Sequence, residues 1–159
     1  PPFLAGFRQG AEHAADMQAV IAWVRQHSGL PVWLVGTSRG TQSIAAVATR
    51  LSRADGPDGL VVTATILTDP KAPPVTAMTL ERLSIPVLVA HHELDACSHC
   101  AFSEMPKLMQ KLDGLPRKQL LSFRDGVCRG DPCEAMAYHG FNGIEREVVG
   151  QIAGWMLDR

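Results

Sequence analysis

A serine between two glycines is the first feature of this 159-residue sequence that could do covalent chemistry. Residues 36–40 read Gly-Thr-Ser-Arg-Gly, directly after the apolar run 31–35 and directly before a helical pattern. In a strand–turn–helix context, G-x-S-x-G forms a tight turn that projects the serine from the carboxyl end of a sheet. The sequence therefore predicts that Ser38 is a nucleophile and that the backbone N–H of Arg39 binds a developing oxyanion.

The rest of this turn is expected to serve the same chemistry. Gly36 and Gly40 should prevent clashes where the strand and the helix cross. The N-terminus of the following helix adds a positive field at the place where negative charge would develop. The pentapeptide alone also occurs by chance, so the alternative is a tight glycine turn with a harmless serine.

The elements that must position Ser38 alternate between helical and extended patterns. Apolar spacing predicts helices over 11–27, 38–51, 101–112 and 144–157, a short helix over 77–83, and buried strands over 31–35, 60–67, 85–90 and 119–123. Residues 1–10 are predicted to form a loop. Strands that alternate with helices and are apolar throughout indicate an α/β fold with a mainly parallel sheet flanked by helices.

Composition excludes several functional classes. Hydrophobic residues make up 46% and charged residues 19% of the chain, which is typical of a globular domain. Fifteen basic and sixteen acidic residues give a net charge of −1, so no basic excess favours nucleic acid as a partner. No apolar run reaches the roughly 18 residues of a membrane span.

A serine nucleophile needs a base and an orienting acid. The order of candidates here resembles that of the α/β-hydrolase superfamily, in which the serine is followed by an acid after a later strand, and then by a histidine before the last helix. Asp95 follows the strand predicted over 85–90, and His139 lies in the loop before the last predicted helix. The resemblance implies a Ser38–Asp95–His139 triad in a single domain over residues 1–159.

Other residues remain as alternatives for the acid. Asp69 also ends a strand, and some members of the superfamily place the acid there, while Glu93 lies close to Asp95. His91 and His92 precede the acid, so their order does not fit the base. A histidine in an apolar strand is expected to be a satisfied core residue.

Four cysteines form two close pairs, Cys97 with Cys100 and Cys128 with Cys133. Disulfides, free thiols and a metal site that includes His99 are all compatible with this spacing. If the triad forms, the acid loop and the base loop are neighbours, and a nested pairing of Cys97 with Cys133 and Cys100 with Cys128 would join them. The alternative is two local bonds within the pairs. Disulfides would imply a periplasmic or secreted protein, and free thiols a cytoplasmic one.

The sequence departs from the family pattern at its beginning. Only a loop and one helix precede the strand of the nucleophile, and the loop that usually carries a second oxyanion donor has no counterpart. The expected architecture is a partial or truncated α/β-hydrolase fold, the C-terminal part of the whole. The alternative is a minimal variant that covers its exposed sheet edge by homodimerisation.

The function implied by the resemblance is that of a serine hydrolase, a carboxylesterase that cleaves small acyl esters through an acyl-enzyme. This chemistry needs no cofactor and no metal. Two alternatives from other classes stay open. One is a catalytically impaired fragment that acts as a binding module, and the other is a small domain stabilised by zinc on its cysteines.

Overall fold

Four parallel strands form the sheet, and each strand pairs with the one before it in the chain. The structure, a computed structural model, describes residues 4–158. The strands are β1 (Trp33–Thr37), β2 (Gly59–Thr63), β3 (Val87–His92) and β4 (Lys118–Phe123), in the order β1-β2-β3-β4. This architecture confirms the predicted α/β class with a parallel sheet.

Helices cover both faces of this sheet. They are α1 (Ala5–Arg8), α2 (Ala11–Ser28), α3 (Arg39–Arg50), α4 (Met105–Lys111) and α5 (Glu145–Leu157). Ile21, Val47 and Leu108 bring α2, α3 and α4 into the core on one face. Val148 and Trp155 bring α5 onto the other. Helices on both faces explain why the inner strands are apolar throughout. Within residues 4–158, no helix has the length and apolar character to cross a membrane.

The first strand, like β4 at the other edge of the sheet, is less buried than the two inner strands. Every residue of β2 and β3 is buried, whereas β1 alternates between buried and exposed positions. Trp33 packs edge-on against Trp155 of α5, with ring centroids 5.7 Å apart, but Val35 is 55% exposed. Within residues 4–158, β1 pairs only with β2, and no strand precedes it. A homodimer through this edge stays a prediction.

The second strand is shorter than its apolar sequence predicted. It ends at Thr63 rather than Leu67 because Ala64 has a φ of 43°, which turns the backbone out of the extended conformation. The chain beyond stays buried, so its polar groups need other partners. The N–H of Thr65, for example, donates to Nδ1 of His91 at 3.3 Å. The apolar run thus reports burial and not strand length.

Two predicted helices are interrupted in the structure. The helix predicted over 101–112 begins as a 3₁₀ turn, and α4 starts only at Met105, because Pro106 fits a first helical turn and not an interior. The segment 77–83 contributes to two 3₁₀ turns, Val75–Ala77 and Leu80–Arg82. The prediction of a loop over residues 1–10 is wrong where α1 forms, at Ala5–Arg8. Residues 1–3 lie outside the described part of the chain.

Candidate active site

The nucleophile candidate sits in a strained turn between β1 and α3. Ser38 has φ 50° and ψ −121°, a backbone conformation that non-glycine residues rarely adopt. Its N–H donates to the carbonyl of Thr63 at 3.0 Å. Its own carbonyl accepts hydrogen bonds from the N–H of Thr41 at 2.9 Å and from the Thr41 hydroxyl at 2.6 Å. Three hydrogen bonds therefore hold Ser38 in its unfavourable conformation.

Of the two glycines that flank the serine turn, only Gly36 lies where a side chain would clash with neighbouring atoms. A Cβ on Gly36 would lie 2.6 Å from the carbonyl oxygen of Gly40 and 2.9 Å from the side chain of Ile44. A Cβ on Gly40 would meet nothing within 4 Å. The expectation that both glycines prevent a clash is therefore correct for Gly36 and wrong for Gly40. The close approach is between the β1 backbone and the first turn of α3.

Helix α3 begins immediately after Ser38, at Arg39. The first N–H groups of a helix have no acceptor within the helix, and they carry partial positive charge. Ser38 and the first residues of α3 are partly exposed. The assignment of the Arg39 N–H to oxyanion binding stays a prediction.

The acid and base candidates are in direct contact. Asp95 follows β3, and His139 lies in the 3₁₀ turn Tyr138–Gly140 before α5. Nδ1 of His139 donates to Oδ2 of Asp95 at 2.9 Å, and Oδ1 of Asp95 accepts the N–H of Cys97 at 2.9 Å. Both side chains are buried. Because Asp95 accepts from Nδ1, the lone pair of a neutral His139 is on Nε2.

The second ring nitrogen of His139 has no partner among the described residues. Nε2 is buried and makes no hydrogen bond. The structure therefore brings Asp95 and His139 together, but it forms no hydrogen bond between His139 and Ser38. A buried polar atom without a partner costs about 1–3 kcal/mol. The atom left in this state is the one that a general base would use.

The alternative acids have other partners. Asp69 forms an ion pair with Arg39 and accepts a hydrogen bond from Gln42 at 3.2 Å. Burial alone would raise the pKa of Asp69, but hydrogen bonds from the Lys71 N–H, Arg39 and Gln42 outweigh burial and hold it below the usual range. These contacts explain the Arg39 side chain, which turns away from the nucleophile to a carboxylate of the neighbouring loop.

Glu93, the other alternative, pairs with Arg124 at 2.6 Å. Neither carboxylate contacts His139, whereas Asp95 does. The contacts thus favour Asp95 as the orienting acid, in agreement with the sequence order.

The two histidines at the end of β3 are satisfied by backbone groups. Nε2 of His91 donates to the carbonyl of Cys100 at 2.7 Å, in addition to the bond that Nδ1 accepts. His92 donates to the carbonyl of Asp125 at 2.8 Å and accepts the N–H of Leu94 at 3.0 Å. Burial holds the pKa of His91 below its usual value. Both residues match the expectation of satisfied core histidines.

One disulfide joins the acid loop to the base loop. Cys97 and Cys133 are bonded, with Cα atoms 4.6 Å apart, as half of the nested pairing predicts. The other half is wrong, because Cys100 is buried in the core and Cys128 is exposed. The alternative of two local bonds, Cys97 with Cys100 and Cys128 with Cys133, is also wrong, because Cys97 is bonded to Cys133. Burial, followed by the charge of nearby Asp95, raises the pKa of the Cys100 thiol well above its usual range.

Several residues of the site were not found from the sequence. Thr41 and Gln42 tie the nucleophile turn to neighbouring loops, and their only signal is their position in the first turn of a helix that starts at the serine. Thr65 has a buried hydroxyl with no partner among residues 4–158, and no sequence pattern indicates it. The metal alternative with His99 is not supported, because the group of described residues whose ligand atoms lie close together does not include His99.

Solved structures similar to this chain include a serine hydrolase and a peptidase. A lidless α/β serine hydrolase from Xanthomonas campestris is 20% identical, with a TM-score of 0.49 over 87% of this chain and 56% of that one. Dipeptidyl peptidase 4 from Porphyromonas gingivalis is 10% identical, with a TM-score of 0.57 over 89% of this chain and 22% of that one. This chain has an α/β-hydrolase-like fold. It spans just over half of the first neighbour's length and about a fifth of the second's. No protein-family model matches the sequence, and a search of curated proteins finds no match.

Proposed function

We propose that this protein is a serine hydrolase, and that its substrates are small carboxylic esters. The observation that carries the proposal is the buried hydrogen bond between Asp95 and His139, formed by the two residues that follow Ser38 in the order typical of α/β-hydrolases. The strained turn at Ser38, with a helix starting directly behind it, supports the same proposal.

In the proposed reaction, Ser38 Oγ attacks the ester carbonyl while His139 Nε2 takes the hydroxyl proton. The carbonyl oxygen becomes an oxyanion that accepts a hydrogen bond from the Arg39 N–H. His139 then gives its proton to the departing alcohol, which leaves Ser38 acylated. Water, deprotonated by the same nitrogen, cleaves the acyl-enzyme and releases the carboxylic acid. Asp95 keeps the His139 ring oriented and stabilises its cationic form.

Esters are preferred over amides by analogy, since simple esterases are common in this superfamily. The same residues would cleave a thioester or a peptide bond. The peptidase among the similar structures makes the peptide bond the first alternative to test. The disulfide between Cys97 and Cys133 is compatible with an oxidising compartment, so we propose a periplasmic or secreted location.

A second candidate function rests on the missing bond between His139 and Ser38. A chain whose nucleophile is not coupled to its base would be a catalytically impaired module that binds a ligand or partner. The two candidates differ in one property, the reactivity of the Ser38 hydroxyl.

Labelling with a fluorophosphonate probe tests that reactivity directly. Wild-type protein is expected to be labelled and Ser38→Ala is not, while Ser103→Ala, which removes an exposed serine elsewhere, is labelled like the wild type. Hydrolysis of p-nitrophenyl acetate, measured beside that of a peptide p-nitroanilide, separates esterase from peptidase. A folded wild-type protein that neither labels nor turns over either substrate would favour the impaired module.

A further inference from the structure

A cluster of two sulfurs and a ring nitrogen lies beside the proposed acid. The sulfurs of Cys97 and Cys100 and a ring nitrogen of His139 all lie within 4.8 Å of one another. All three residues are buried, with exposed fractions of 2%, 0% and 4%. Among residues 4–158, no other group of three or more potential metal-binding side chains with clustered ligand atoms includes a cysteine.

One ring nitrogen of His139 remains free to bind a metal ion. Nδ1 of His139 is occupied by Asp95, so the free atom is Nε2, which is buried and makes no hydrogen bond. A histidine that binds a metal through one nitrogen almost always donates its other N–H to a carboxylate or carbonyl. Asp95 provides that support, and the unpartnered Nε2 is an independent indication that this position can accept a ligand.

The cluster is incomplete while Cys97 is oxidised, because its sulfur is bonded to Cys133. Only Cys100 and His139 are then free to act as ligands. Reduction changes this: two small thiols become one disulfide and transfer two electrons and two protons to Cys97 and Cys133. Cys128 is a free, exposed thiol outside this bond.

We propose that, once the Cys97–Cys133 bond is reduced, Cys97, Cys100 and His139 bind a zinc ion. The two thiols each lose one proton, and Nε2 contributes its lone pair. Zinc prefers this sulfur and nitrogen donor set, with Zn–S near 2.3 Å and Zn–N near 2.0–2.1 Å. Tetrahedral geometry with those lengths separates the ligands by about 3.5–3.8 Å. The two sulfurs and a ring nitrogen of His139 lie within 4.8 Å of one another in the oxidised protein, so metal binding through Nε2 requires the side chains to move closer together. Water or the released Cys133 thiol completes the coordination.

The consequence for catalysis rests on the proposed function. Zinc would occupy the nitrogen that takes the proton from Ser38, so the reduced, metal-bound protein would be inactive as a hydrolase. The oxidised protein would be insensitive to zinc, since Cys97 then offers no thiolate. One disulfide would therefore decide whether the base is available to substrate or to metal.

Cobalt(II) is the probe for this site because its thiolate complexes absorb in the near ultraviolet and visible. The protein is titrated with cobalt before and after reduction by a phosphine. The phosphine is oxidised to its oxide with oxygen from water while the disulfide becomes two thiols. It is chosen because it has no thiolate that could bind cobalt. Thiolate–cobalt bands are expected only after reduction, and added zinc should abolish them. These spectra do not depend on hydrolase activity, so the outcome is independent of Ser38.

Variants separate the ligands from the other thiols. Cys133→Ser leaves Cys97 as a free thiol, so it should bind cobalt without any reductant. Adding Cys100→Ser to that variant should weaken binding at least tenfold and change the thiolate bands, whereas adding Cys128→Ser should change neither. Circular dichroism checks that each variant is folded, and reduced wild-type protein is a second route to the same site. The proposal is wrong if neither form gives thiolate–cobalt bands, or if the bands survive loss of Cys100.

Discussion

Three buried histidines lie close together in this molecule, and they differ in how their nitrogens are used. His91 and His92 each bond two partners, at least one of them a backbone carbonyl, so that neither ring has a free nitrogen. Nδ1 of His139 donates a hydrogen bond to the Asp95 carboxylate, and Nε2 makes no hydrogen bond with any described residue. Burial alone therefore does not distinguish a structural histidine from a candidate base. The unused nitrogen does.

The same contrast separates the roles of the surrounding loops. His91 bonds the segments that follow β2 and β3, and His92 bonds the segments that follow β3 and β4. His92 also stacks on Tyr138 with ring centroids 4.3 Å apart. Nε2 of His139 forms no hydrogen bond to any loop among the described residues. Replacing each histidine should therefore damage a different property, activity for His139 and stability for the other two.

The largest effect is expected at the base. His139→Gln keeps an N–H for Asp95 but offers no basic nitrogen, so p-nitrophenyl acetate turnover should fall by about 10⁶-fold. Circular dichroism should be unchanged. His92→Gln is the matched control, and it should retain most of the activity. Equal losses in the two variants would remove the distinction between these histidines.

The acid assignment gives the next largest effect. Asp95→Asn should lower kcat by about 10⁴-fold, because the amide can donate to Nδ1 and so favours the tautomer with its proton on Nε2, which cannot act as a base. Asp69→Asn disturbs only the contacts of this side chain with Arg39 and Gln42, so turnover should change less than about tenfold. Because the Asp69 side chain is buried, the effect should appear in the free energy of unfolding instead. A larger loss in Asp69→Asn would transfer the acid role to that residue.

A stability effect is expected at the satisfied histidines. His92→Ala leaves the carbonyl of Asp125 and the N–H of Leu94 without their partner, at a cost of about 1–3 kcal/mol in the free energy of unfolding. Urea denaturation measures this loss. His99→Ala, which removes one bond at a more exposed position, should cost less, and the comparison fails if the two variants unfold alike.

The smallest effect is a pH dependence. Because burial lowers the pKa of His91, the folded chain resists the proton that the unfolded chain takes up near pH 6.5. Stability is therefore complete above that pH and falls as the pH drops toward the folded pKa, by at most about 1.4 kcal/mol per pH unit. His91→Gln should show a shallower loss between pH 7.5 and 5.5 in urea denaturation. Identical slopes would contradict this origin.

Much of the site could be predicted because its signals are local. The turn at Ser38 depends on a strand, a glycine and a helix that are adjacent in the chain, so the pattern of residues 36–40 was sufficient. The order of Asp95 and His139 was informative because the carboxyl ends of parallel strands meet at one edge of a sheet. Their contact was implied by this order rather than by any property of the loops.

The errors arose where the decisive contacts are distant in sequence. Residues 64–67 are as apolar and buried as a strand, but the positive φ of Ala64 and side-chain partners such as His91 replace the ladder. Nothing near Cys100 in the sequence indicates that its thiol is in the core while Cys128 is on the surface. The predicted contact of Asp95 and His139 indicated that the two cysteine loops are neighbours, but the sequence did not show that only Cys97 and Cys133 bond.

The order of the strands in the sheet has a consequence for synthesis on the ribosome. Every strand emerges after the one it pairs with, so the sheet can extend strand by strand while the chain grows. The turn at Ser38 can form once Thr63, whose carbonyl accepts the Ser38 N–H, has emerged. The hydrogen bond between Asp95 and His139 needs another 44 residues of synthesis after Asp95. A nascent chain that stops before His139 would already hold its serine in the strained turn, yet it would have no base to activate it. The loop that carries His139 therefore decides when the proposed chemistry can begin.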